Sequence, residues 1–436
     1  MKHNFYFTWL FSALMLSSQA ASAGVTAHDH VRAFYGDKKD NTVVVVDVKK
    51  MQLIKKVATE GLTPYPVDRA GYLDKVYAIT RGSSSMDVID ANTLENLGLL
   101  KLNHKPRSGE SYNSRLGLAL IAGADKPLTS VIDVVNDKVV AEAGTDQYTT
   151  QLRDNGGTIS SGHPAWLSND RFVVIDRANR LIQLWGIEKI QQTNSLDYTW
   201  EVFLLDEMAT PTAVHHMLHR NTAMLSNREK RIFYALAEGK SLISDGGPIA
   251  PAILEIRLSA SDRLRLVDQI SLPGDASVMS SHHADFHPDG QHIYVGSSEG
   301  SLFVVDSISK SVISTIDTGL GTGHTRFVPA RNLAIVTNHY DTFVTVINTE
   351  SHAKIKDIVV SRPQKNGEIL QSHTNYVSPD SNYYYAFASD NGVFFEINLQ
   401  KLKVNRRLHT GGVPVQGSFI NWDSFSYSIV SSSTGM

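Results

Sequence analysis

The stretch HADFHPDGQHIYVGSSEGSLFVVDSISKSVISTID, residues 283–317, decides the fold. It holds four short β-prone runs, 284–286, 292–296, 301–306 and 311–316, separated by turn residues such as Pro288-Asp289-Gly290. Runs of this length broken by Pro, Asp, Gly and Ser predict strands joined by tight turns. The same pattern recurs downstream in 325–327, 333–338, 343–348 and 354–360, and again in 374–376, 383–389, 393–398 and 403–409. Upstream copies are fainter, as in 76–80 with 85–90 and 172–176 with 181–185. A period of about 40–50 residues with four strands per unit predicts the blades of a β-propeller.

Innermost strands are expected to start near residues 69, 110, 163, 216, 283, 324, 373 and 416, which counts eight blades, seven being the alternative. The last of these has its own inner strand and a second candidate at 425–430, while runs 31–35, 42–48 and 52–58 supply what it lacks. Joining both ends of the chain in one blade closes the ring and leaves no sheet edge open to aggregation. The expectation is all-β: one β-propeller domain over residues 24–436.

Residues 1–23 read as a signal peptide. Lys2 precedes an apolar run over 5–16 and a small-residue A-x-A site ending at Ala23, which predicts cleavage there and a periplasmic protein. No later segment approaches the roughly 20 apolar residues that a membrane span needs. A formal net charge of −3, with no basic block, leaves no electrostatic case for nucleic acid. The chain has no cysteine, so disulfides, thiolate metal sites, iron–sulfur clusters and cysteine nucleophiles are excluded. Any metal must be held by nitrogen and oxygen. No G-x-S-x-G, H-E-x-x-H, P-loop, c-type haem or EF-hand motif is present.

The histidines carry the functional signal. With the repeats aligned on the inner-strand aromatic (Trp166, Phe286, Phe327 and Tyr376), His163, His283, His324 and His373 stand three positions earlier. His216 takes the slot in the fourth blade, with His219 in the aromatic position. The remaining slots read as Arg69 before Tyr72, Glu110, and Gln416 before Phe419. One slot repeated around a propeller makes a ring at the central channel, and a ring of imidazoles is a site for a transition metal. Five histidines exceed one tetrahedral site, so either more than one ion is bound or some histidines only line the route. His339, in the turn after a second strand, is placed to join as a further ligand. His215 and His282 precede ring histidines and are expected to point away from the channel, whereas His104, His287, His292, His352 and His409 read as surface or turn residues. His28 and His30 form a terminal His-x-His that could capture metal loosely.

The tetrapeptide Ile335-Val336-Thr337-Asn338 resembles the YVTN signature of the YncE-like propeller family, a resemblance that implies fold and not function. The channel histidines resemble those of two periplasmic copper enzymes, the propeller domain of nitrous oxide reductase and thiocyanate dehydrogenase. That resemblance implies copper held by His163, His216, His283, His324 and His373. It makes Arg69, Glu110 and Gln416 neighbouring or substrate-facing groups, with Glu110 as proton acceptor. The expected activity is that of a copper oxidoreductase acting on a small inorganic molecule. Without cysteine, the electron-transfer domain of nitrous oxide reductase has no counterpart here. The alternatives are a periplasmic zinc or copper metallochaperone serving a metal-transport partner, and a propeller that binds protein partners.

Overall fold

A computed structural model describes residues 30–70, 73–145, 159–191, 197–218, 232–239, 249–274, 281–362, 371–421 and 429–431. The expected leader, His28, Tyr72 and His219 lie outside the described residues, as do the side chains of Glu110 and His282.

Eight antiparallel sheets form a ring, a β-propeller. Blade 1 opens with the inner strand Pro64–Arg69, blade 2 with Pro106–Asn113, blade 3 with Ala165–Ser168 and blade 4 with Val214–Leu218. Blades 5, 6 and 7 open with Ser281–Phe286, Thr322–Val328 and Asn375–Val377. Blade 8 takes its inner strand, Pro414–Asn421, from one end of the chain and Val31–Asp37, Thr42–Asp47 and Gln52–Ala58 from the other. The register there pairs Arg32 with Ile420 and Gly36 with Gln416. Ile429–Ser431 also pairs with Pro414–Asn421, on the side away from Val31–Asp37, and so is not the second strand of a conventional order.

The sequence repeats because every blade solves the same two packing problems. Second and third strands are buried on both faces, as in Thr42–Asp47, Leu118–Gly123 and Leu333–Asn338, so they are nearly continuous runs of Val, Ile, Leu and Ala. Outer strands such as Gln52–Ala58 and Ala353–Val359 are exposed and carry Lys and polar residues. The turn into the outer strand is fixed chemically in six blades. Asp47, Asp90, Asp133, Asp306, Asn348 and Asn398 accept backbone N–H groups two or three residues ahead, at 2.7–3.2 Å. This is the Asx turn that favours these residue types.

Eight apolar clusters each bridge two successive blades, and together they run unbroken round the ring. The seam between the chain ends is packed like the others. Phe34, Val43 and Val45 meet Val67, Val76 and Ala78 on one side of blade 8, while Tyr35 meets Tyr376 and Phe387 on the other. No helix among the described residues is long and apolar enough to cross a membrane.

Candidate metal centre

Inner strands converge at their starting ends, and there the pleat is broken. Pairing slips between Ser281 and His283, between Val214 and Met217, and between Thr322 and Thr325. A bulge of this kind re-aims side chains that regular alternation would send to the neighbouring sheet. In this chain it delivers histidines into a cavity of about 230 Å³. His163, His216, His283, His324, His339, His373 and Gln416 all line it. His215 lines it too, against expectation, because the bulge in Val214–Leu218 leaves both His215 and His216 outside the ladder.

Backbone bonds between blades hold the ring of strand starts. His163 N donates to His215 O at 3.0 Å, and His373 N donates to Val415 O at 3.2 Å. Glycine makes room: a Cβ on Gly323 would stand 2.3 Å from Nε2 of His339.

The imidazoles form two groups. Nitrogens of His163, His215 and His216 lie within 4.8 Å of one another, and so do those of His283, His339 and His373. His163 stacks on His216 with centroids 3.9 Å apart, and His339 stacks on His373 at 4.0 Å. The groups touch where His216 Nε2 lies 3.1 Å from His283 Nδ1. His324 packs on His283 at 4.0 Å; its Nδ1 is buried without a hydrogen bond, 3.5 Å from Asp285 Oδ2.

Burial pushes the His163 imidazole far below its usual range, with Arg107 and Arg81 adding to the effect. Burial also pushes His339 down to about 4, against the opposing pull of the Gln371 carbonyl that its Nδ1 meets at 3.1 Å. Both rings are therefore neutral at pH 7 and keep a lone pair for a metal. Imidazole nitrogens grouped in threes, with no cysteine present, are a donor set that fits zinc or copper.

The surroundings supply orientation and charge. Glu238 Oε1 lies 3.1 Å from His215 Nδ1, and both carboxylate oxygens accept from Arg177 Nη2, at 2.6 and 2.8 Å. A carboxylate behind a ligating imidazole restrains its ring direction. Arg107 Nη1 donates to Ser161 O at 2.7 Å, its Nη2 lies 3.1 Å from the same His215 Nδ1 and so competes with Glu238 for that atom, and Arg81 lies over Tyr65. Arg81 and Arg107 both line the cavity.

The first two blades are registered differently from expectation. In blade 5 the ring residue His283 pairs one place before the end of the second strand. Gln416 pairs equivalently with Gly36, but in blade 2 that place belongs to Ser108, and in blade 1 the slot falls on Pro66. Arg69 pairs with Val76, in the position of the blade 5 aromatic, and is not among the residues that line the cavity. Its Nε donates to Leu73 O at 3.5 Å. Glu110 lies within the second bulge of Pro106–Asn113, between Ser108 and Ser111.

Arg81, Arg177, Glu238, Ser298 and His339 share one address, the residue after the second strand of blades 1, 3, 4, 5 and 6. Sequence reading found His339 alone. Aligning that turn across blades would have found the rest. His104, expected at the surface, is buried with Nε2 2.8 Å from Ser130 Oγ. His287, His292 and His352 gather at the other end of the inner strand, remote from the cavity.

No protein-family profile and no curated protein sequence matches the chain. Solved structures do. Dihydro-heme d1 dehydrogenase NirN, in complex with DHE, is similar with a TM-score of 0.61 and 13% identity, over 93% of this chain and 77% of that one. Apo AztD from Citrobacter koseri has a TM-score of 0.55 and 13% identity, over 88% and 96%. BamB from Moraxella catarrhalis has 0.52 and 11%, over 81% and 92%. At such identities the likeness establishes the propeller fold and leaves the chemistry to the site.

Proposed function

We propose that this chain is a periplasmic metal-binding propeller whose two histidine groups, at one end of the channel, hold one copper ion each. The observation that carries the reading is the pairing of two three-nitrogen groups joined at His216 and His283. His163, His215 and His216 would hold one ion and His283, His339 and His373 the other, with His324 able to serve either. Copper there would supply one-electron redox chemistry. The chain's own residues would do the rest. Glu238 orients His215, while Arg81 and Arg107 place positive charge beside the imidazoles and attract a small inorganic anion as substrate. Gln416 offers a hydrogen-bonding wall.

A second reading is favoured by one observation. Among the described residues no aspartate or glutamate lines the cavity, which suits holding and releasing an ion better than abstracting a proton. On that reading the chain is a zinc or copper chaperone.

Metal analysis of protein purified from its native compartment separates the two. Two coppers per chain with redox-active spectra support the enzyme, and one exchangeable zinc supports the chaperone. Protein that holds no metal, and takes up none when titrated with copper or zinc, refutes both.

A further inference from the structure

Away from the channel, the hairpin that opens blade 5 carries His287-Pro288-Asp289-Gly290-Gln291-His292. Asp289 Oδ1 accepts the N–H groups of Gln291 and His292 at 2.7 and 3.0 Å, which fixes the carboxylate. Its Oδ2 is thereby aimed between two imidazoles, 2.8 Å from His287 Nδ1 and 2.6 Å from His292 Nδ1. Yet His287 Nδ1 also accepts the Asp289 N–H, at 3.2 Å. Nδ1 of His287 can satisfy only one of these contacts, as acceptor from the Asp289 N–H or as donor to Oδ2, whereas a divalent ion held between Nδ1 and Oδ2 leaves Nδ1 free to be an acceptor and engages both lone pairs.

A fourth group comes from the next blade. His352 sits at a left-handed turn position, its ring 4.8 Å from that of His292, and its Nδ1 is held 2.8 Å from Tyr294 Oη. Imidazoles sharing one ion at about 2.0–2.1 Å have centroids roughly 5 Å apart. The ring of His287 is 6.1 Å from His292 and 6.4 Å from His352. To reach tetrahedral spacing, roughly 3.4 Å between donors, the nitrogen–oxygen contacts of 2.8 and 2.6 Å must open by about 0.6 and 0.8 Å and the His287 and His292 rings must close by about 1 Å.

We infer that His287, Asp289 and His292 form a second, peripheral site for a divalent transition ion of the zinc class, with His352 as the fourth ligand across the seam between blades 5 and 6. The site is partly exposed and needs no residue of the channel. It exchanges its ion more readily than the buried groups and ties two neighbouring blades together when filled.

The test is a zinc titration of the full chain, never exposed to a nickel column, against a chromophoric chelator. Wild type should bind one ion more than His287→Ala or His292→Ala, and His352→Ala should weaken that ion about tenfold. His283→Ala should lose zinc from the channel and keep the peripheral ion, so failure of the channel reading and failure of this one look different. Melting of the zinc-free variants at the wild-type temperature excludes misfolding, and Asp289→Asn serves if one alanine variant does not fold. Equal stoichiometry and equal affinities in wild type, His287→Ala and His292→Ala would overturn the inference.

Discussion

Glu238 and His215 meet at 3.1 Å, Oε1 to Nδ1, and the carboxylate that makes this contact is itself gripped by Arg177. The arrangement is buried and ordered outward from the cavity: imidazole, carboxylate, guanidinium. Glu238→Gln keeps the size of the side chain and removes the negative charge beside the imidazole. Metal affinity of the His163 group should fall about 10-fold to 100-fold with the fold retained. Competition titration and melting curves check this; unchanged affinity would show that Glu238 only neutralises Arg177.

His283→Ala and His324→Ala should each lower bound copper or zinc, His283→Ala the more strongly because it touches both groups. His409→Ala, on an exposed outer strand, should leave stoichiometry intact. The fold should survive in all three, since eight interblade apolar clusters and not the ion hold the ring. Equal metal content in the three variants would mean that the histidine register is a coincidence of the fold.

Metal-free protein should be stable at neutral pH and lose stability on acidification. His339 titrates near 4 when folded and near its ordinary 6.5 when unfolded. The unfolded chain therefore takes up protons first, and the stability this group contributes is whole above 6.5 and drains away as pH falls towards 4. The full effect is on the order of 3 kcal/mol. Urea midpoints measured at several pH values check it: His339→Gln should flatten the dependence, and a wild-type midpoint constant from pH 7 to 4.5 would contradict it. Bound metal should be lost over the same range, because a protonated imidazole cannot coordinate.

Gly323→Ala places a methyl group against the His339 ring. The ring must move, so the His283 group should lose affinity while the His163 group keeps its own. A two-site titration in which both groups weaken equally would show that the displacement is not local.

Blades 5, 6 and 7 were legible because their strands run in plain alternation with turn residues, and the shared blade followed from counting what the last one lacked. The first two blades misled because register was judged from inner strands, where bulges insert residues and the aromatic is missing. The turn after the third strand is the better anchor. Asp306, Asn348 and Asn398 lie 23, 24 and 25 residues beyond His283, His324 and His373. Counted back from Asp90 the same spacing gives residues 65–67 and so excludes Arg69, whereas from Asp133 it gives 108–110, and there the pairing of Ser108 with Ala122 decides against Glu110. His215 was assigned outward for a related reason: alternation holds along a strand and fails at a bulge. Glu238 and Arg177 carry no motif and become visible only when the turn after the second strand is compared across blades.

The seam in blade 8 has a consequence for when the cavity exists at all. Val413 N donates to Asp37 Oδ1 across 376 residues of chain, and closing a loop of that length costs about 5 kcal/mol of chain entropy. Nothing short of a nearly finished ring can recover it. Gln416, one wall of the cavity, belongs to the strand that zips this seam. An arc of seven blades would lack Gln416 and the Val415 carbonyl that holds His373 N, leaving that side of the cavity open to solvent. Ion capture would then certify that the last strand is home, and a chain stalled one strand short would be both sticky at its edges and empty at its centre.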